Sequence, residues 1–100
     1  MATKLPQDFK EFLKLLNEFN VEYLLIGGYA VAHYGYPRPT ADFDIWIAMN
    51  RIFAECFGRR IVVNLDGVNT NLISLDDLKQ NKRASGRAKD LNDLEHLPDS

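Results

Sequence analysis

Two carboxylates, Asp42 and Asp44, stand one residue apart in the largely apolar run ADFDIWI, residues 41–47. Side chains alternate along a β-strand, so Asp42, Asp44 and Trp46 share one face while Phe43, Ile45 and Ile47 take the other. Two like charges side by side on such a strand repel each other. A divalent cation between them removes that penalty, and hard cations such as Mg²⁺ prefer carboxylate oxygen. The pair therefore reads as a metal platform. Upstream, a short apolar run leads straight into Gly27 and Gly28. Glycine between a strand and a helix lets the backbone approach a ligand, and free N–H groups at the helix start attract phosphate. The same pair also suits a tight turn that binds nothing. Arg38 and Thr40 lie in the loop between these segments, where a guanidinium and a hydroxyl could hold phosphate oxygens or simply face solvent.

The elements that must position these groups follow from patterning. Phe9, Phe12, Leu13, Leu16 and Phe19 recur at helical spacing after Pro6, with Asp8 and Glu11 near the start and Asn20 as a stop. Residues 23–26 read as a buried strand, 29–34 as a short helix ended by Gly35 and Pro37, and 43–47 as a second strand. Asn50 can cap a helix carrying Ile52, Phe53, Cys56 and Phe57, closed by Gly58. Residues 60–65 and 68–73 form a hairpin about Asp66-Gly67, a strong tight-turn pair. Ser74 with Asp77 resembles a capping box opening a helix that ends near Gly86, and a last helix carries Leu91, Leu94 and Leu97 before Pro98. The expected architecture is α/β (α+β): one domain over residues 1–100, a small mixed sheet with helices mainly on one face.

Composition narrows the function class. A net charge of −2 offers no global attraction to nucleic acid or membrane. One cysteine, Cys56, excludes an intramolecular disulfide and the usual zinc clusters. No apolar stretch has the length of a membrane span or signal sequence, so a cytoplasmic location is the expectation. Lys79, Lys82, Arg83, Arg87 and Lys89 gather around Ser85-Gly86, either as a binding patch for phosphate or nucleic acid or as a solvated helix face. Trp46 could stack on a base from the Asp42–Asp44 face, or pack. His33 reads as packing or facing solvent, and Cys56 as a core thiol.

The order strand, Gly-Gly, helix, Arg-x-Thr-x-Asp-x-Asp in residues 23–47 resembles the nucleotidyltransferase superfamily, the fold shared with DNA polymerase β. The run ISLDDLKQNKRASGRAKDLNDLEHL, residues 73–97, looks like the matching tail of the small bacterial branch related to abortive-infection and toxin–antitoxin nucleotidyltransferases. The two blocks cover about half the chain. The resemblance implies a minimal nucleotidyltransferase fold that transfers a nucleoside monophosphate from a nucleoside triphosphate with two Mg²⁺ ions. By position, Asp42 and Asp44 match the metal pair, and Gly27 and Gly28 the phosphate-facing turn. Arg38, Thr40 and Lys82 are the further phosphate-binding candidates.

The chain departs from that pattern in the middle. Such relatives place a third carboxylate on a later strand, within a segment that is missing between Ala48 and the hairpin here. Asp66 is the nearby substitute, at a position that also suits a turn. Transfer is therefore expected to be weak or lost, with an acceptor that could be a protein hydroxyl, a tRNA end or a small molecule. The alternative is a non-catalytic interaction module, antitoxin-like or a structural dimer, that keeps the scaffold. A metal-dependent phosphohydrolase using the same carboxylates is a third reading. Loss of a core segment also leads to the expectation of a homodimer that covers the exposed apolar edge.

Overall fold

The computed structural model describes residues 4–37 and 43–99 of the chain. The elements run α1 (Gln7–Glu18), β1 (Leu24–Ile26), α2 (Gly27–His33), β2 (Asp44–Trp46), α3 (Arg51–Gly58), β3 (Ile61–Leu65), β4 (Val68–Leu72), α4 (Leu75–Ser85) and α5 (Ala88–His96). The four strands form one mixed sheet in the order β2-β1-β4-β3. β1 pairs antiparallel with β2 and parallel with β4, and β3 with β4 is the antiparallel hairpin. The mixed α+β architecture is the one the patterning predicts. None of the described helices is long and apolar enough to cross a membrane.

Local chemistry accounts for the boundaries. Asn50 caps α3 by accepting the Phe53 N–H at 2.8 Å, and Ser74 caps α4 by accepting the Asp77 N–H at 3.2 Å. The Ser74 hydroxyl also donates to the Asp77 carboxylate, which receives two 2.9 Å bonds from the Arg59 guanidinium. One carboxylate thereby joins the end of α3 to the start of α4. In the hairpin, Asp66 and Gly67 both have positive φ (50° and 86°), as a tight turn matched to strand twist requires.

Two helices turn differently from their apolar pattern. In α1, Leu13 and Leu16 enter the core, while Phe12, Leu15 and, at the C-cap, Phe19 are exposed. Tyr23 helps set that rotation. Fully buried, it donates to Asn17 Oδ1 and accepts the Asn71 N–H, while Asn17 Nδ2 donates to the Asn69 carbonyl. In α5 the buried face is Asp90, Asp93 and Leu97, and Leu91 points to solvent. Lys82 of α4 is the cause. Its ammonium is buried and lies 3.1 Å from Asp90 Oδ1 and 3.0 Å from Asp93 Oδ2. Arg87 completes the cluster, donating to Asp90 Oδ2 at 2.7 Å. Among the described residues the cluster sets two cations against two anions.

Removing one member of such a cluster strands a charge without water. Lys82→Ala is expected to lower the unfolding free energy by about 3–5 kcal/mol, read from urea denaturation. Lys82→Met combined with Asp93→Leu leaves the Arg87–Asp90 pair intact and should recover much of the loss. Equal destabilisation by both variants would contradict this account.

The same cluster sets an acid dependence. Burial pushes the Asp90 carboxyl up, but the hydrogen bonds from Arg87, Ser85 and Lys82 outweigh it and hold the pKa well below the ordinary carboxylate range. The native state thus binds fewer protons here than the unfolded chain. The stabilisation is complete above the unfolded value of about 4 and is lost as pH falls below it. The urea midpoint should drop between pH 5 and pH 3 in the native sequence, with a smaller drop in Asp90→Asn.

Candidate functional site

The turn from β1 into α2 and the first residue of β2 meet at one point. Asp44 lies opposite Ile26 in the β1–β2 ladder, which brings its side chain beside Gly27. Gly27 has φ +73°, in the left-handed region that favours glycine, and α2 begins on it directly. A Cβ built there would sit 3.1 Å from the Asp44 Cβ and nearer still to its carboxylate. Glycine is needed twice over, for its backbone conformation and for the space it leaves. Gly28 follows, buried in the first turn of α2.

Phe43 takes the opposite role. Its ring stacks on Phe9 at 4.5 Å and meets Tyr29 edge-on at 5.6 Å, tying α1, α2 and the start of β2 together. Asp44, the next residue, is exposed. The expected alternation of faces holds for these two residues. Asp42, Arg38 and Thr40 lie outside the described residues.

The basic cluster resolves into separate parts. Lys82 is buried against Asp90 and Asp93, so its charge is spent within the fold rather than offered to a phosphate. The Arg87 side chain is largely exposed and sits within electrostatic range of Asp44. Its pKa is raised by the hydrogen bond to Asp90 first, then by that carboxylate's charge, with Asp44 adding to the same effect. Among the described residues, Arg87 is a cation within electrostatic range of the Gly27–Asp44 turn, whereas the sequence reading places Lys82 among the phosphate-binding candidates. Nothing in the spacing of Arg87 and Asp44 signals this approach. The i, i+3 spacing of Asp90 and Asp93 places both carboxylates on one face of α5.

Asp66 does not join Asp44. Leu25 of β1 is level with Leu72 of β4, so the hairpin turn beyond Val68 lies at the other end of the sheet from Ile26 and Asp44. At about 3.3 Å per strand residue, roughly 17 Å separates the two levels. Asp66 instead accepts the Leu5 N–H and pairs with Lys10 at 3.8 Å. The described residues contain no group of three or more His, Cys, Asp or Glu side chains that could hold a metal ion. His33 is exposed and packs edge-on against Tyr34.

Trp46, two residues beyond Asp44 on the same strand face, packs edge-on against Phe53 at 5.1 Å. It also lines a cleft of about 300 Å³ between α3 and α4, with Ile52, Cys56 and Ile73 as apolar walls. Gln80, Asn81 and Ala84 form its α4 side, and Asp77 lies in it beside the Arg59 pair. Burial first, then the charge of Asp77, raises the Cys56 thiol pKa and keeps it a neutral core group.

Comparison with protein-family models, curated proteins and solved structures finds no match to this chain. Its function must be argued from the site.

The Gly27–Asp44 contact has a direct test. Gly27→Ala should cost about 1–2 kcal/mol for the left-handed backbone alone, and more because the new methyl must displace Asp44. In an Asp44→Gly background the backbone cost should remain and the excess disappear. Equal penalties in both backgrounds, measured by urea unfolding, would show that the two residues do not touch.

Proposed function

We propose that this chain is a nucleotidyltransferase-like nucleotide-binding module that holds the triphosphate tail of a nucleoside triphosphate at the Gly27 turn, with little or no transfer activity. The observation that carries the reading is the fit of Gly27 against the Asp44 carboxylate. A glycine without room for a Cβ, beside an exposed acidic group at a strand end, brings backbone and carboxylate to one point. That arrangement suits Mg²⁺: Asp44 would hold the ion together with Asp42, its expected neighbour on the strand face. When bound, the ion would neutralise the charge of the phosphate tail. Gly27 supplies close backbone approach, and Arg87, within electrostatic range of Asp44, supplies a guanidinium for a phosphate oxygen. Arg38 and Thr40 remain candidates for the same task.

Weak transfer follows from the carboxylate supply. Two-ion phosphoryl chemistry needs ligands that clamp attacking and leaving oxygens together. Asp66, the available third carboxylate in the sequence reading, is engaged at the far end of the sheet. Binding without efficient turnover is the expected behaviour. Calorimetric titration with a nucleoside triphosphate should show Mg²⁺-dependent binding that weakens at least tenfold in Asp44→Asn, equivalent to about 1.4 kcal/mol. Metal-independent binding, or binding indifferent to the substitution, would overturn the proposal.

A second reading, an interaction module working as a homodimer, is favoured by exposed apolar side chains. Ile47, Met49 and Ile52 stand out where β2 runs into α3, the region where the sequence lacks the middle segment. Exposed large apolar side chains this close in sequence are candidates for burial against a partner. Sedimentation velocity should give a dimer at micromolar concentration and a monomer for Met49→Asp/Ile52→Asp. A native-sequence monomer would end this reading and leave nucleotide binding untouched.

A further inference from the structure

The cleft beside Trp46 has the features of a ligand site that the phosphate-binding turn does not use. Its walls are apolar on the α3 and sheet side, from Trp46, Ile52 and Ile73, and carry two carboxamides on the α4 side, Gln80 and Asn81. Among the described residues that line it, one carboxylate is present: Asp77 is held below the ordinary range, chiefly by the hydrogen bonds from Arg59, and that ion pair leaves little net charge. A volume of about 300 Å³ matches the lower end of small-molecule pockets, which are mostly apolar with a few polar groups fixing orientation. The best-fitting occupant is a flat, uncharged ring with hydrogen-bonding edges.

Position narrows the class further. Asp44 and Trp46 occupy the same face of β2, paired with Ile26 and Leu24. Two strand residues span about 7 Å, the scale on which a ribose separates a base from its phosphates. A carboxamide offers one donor and one acceptor side by side, the pattern complementary to N6 and N7 of adenine.

We propose that this cleft receives the base of the bound nucleotide, with adenine preferred: the ring packs along Trp46, and Asn81 or Gln80 reads its edge. This rests on the nucleotide-binding reading of the Gly27–Asp44 turn, but it concerns different residues and can fail separately.

Trp46 is the sole tryptophan of the chain, so its emission reports the cleft directly. Adenosine, which carries no phosphate, should change that emission saturably with or without Mg²⁺. Ala84→Leu fills the cleft from an exposed helix position and should weaken the adenosine response at least tenfold, with an unchanged circular dichroism spectrum. Asn81→Ala combined with Gln80→Ala should remove the preference for adenosine over uridine. Asp44→Asn should leave the adenosine response intact while abolishing any gain of Mg²⁺–ATP over adenosine.

If Mg²⁺–ATP binds by calorimetry yet Trp46 emission is still and Ala84→Leu binds as well as the native sequence, the cleft assignment is wrong and the phosphate site stands. If adenosine binds but Mg²⁺–ATP gains nothing over it, the phosphate reading fails and the cleft stands. Emission that follows protein concentration and ignores nucleosides would make the cleft a face between two copies, against the proposal.

Discussion

An ammonium group taken out of water costs several kcal/mol unless opposite charge goes in with it. Lys82 meets that condition with two aspartates, and much of the C-terminal half is arranged around the result. α4 must present Lys82 inward, α5 must present Asp90 and Asp93 on one face, and the Ser85–Arg87 turn must be short enough to let Arg87 balance the second carboxylate. The rotation of α5 is set by this electrostatic demand rather than by its leucines. Leu91 is left exposed, because turning it inward would pull a carboxylate away from the ammonium.

The consequence reaches the candidate site. Arg87, at the N-cap of α5, is fixed by Asp90 and sits within electrostatic range of Asp44 at the start of β2. A helix hairpin closed by buried ions thus supplies a cation to a strand end that is remote in sequence. Tyr34 reinforces this side of the sheet by donating to the Ile73 carbonyl at 2.6 Å, joining the end of α2 to the exit of β4. The glycine turn and the acidic strand are then held by elements anchored in the core, and the cation by a short turn whose Arg87 is pinned to the buried Asp90.

Sheet order imposes the other constraint. With β1 between β2 and β4, the ends of β1 and β4 and the start of β2 open on the same edge, and the β3–β4 hairpin turns at the opposite one. Any residue of that hairpin turn is excluded from the Asp44 site by the length of a strand. Asp66 is therefore a structural anchor for the N-terminal segment through Leu5 and Lys10.

The sequence by itself determined the element order, most boundaries, the caps at Asn50 and Ser74, the Asp66–Gly67 turn and the joining of a glycine turn to an acidic strand. These depend on local backbone chemistry and on alternation, which are written within a few residues. It also marked Phe43 and Asp44 as facing opposite ways. The tertiary structure alone decided which cation approaches Asp44, that Lys82 is consumed inside the fold, that Asp66 lies at the wrong end of the sheet, and that Trp46 opens onto a cleft between α3 and α4. Those outcomes depend on strand order and on how buried charges pair across helices. Such long-range balances of hydration against Coulomb attraction leave no periodic trace in the chain.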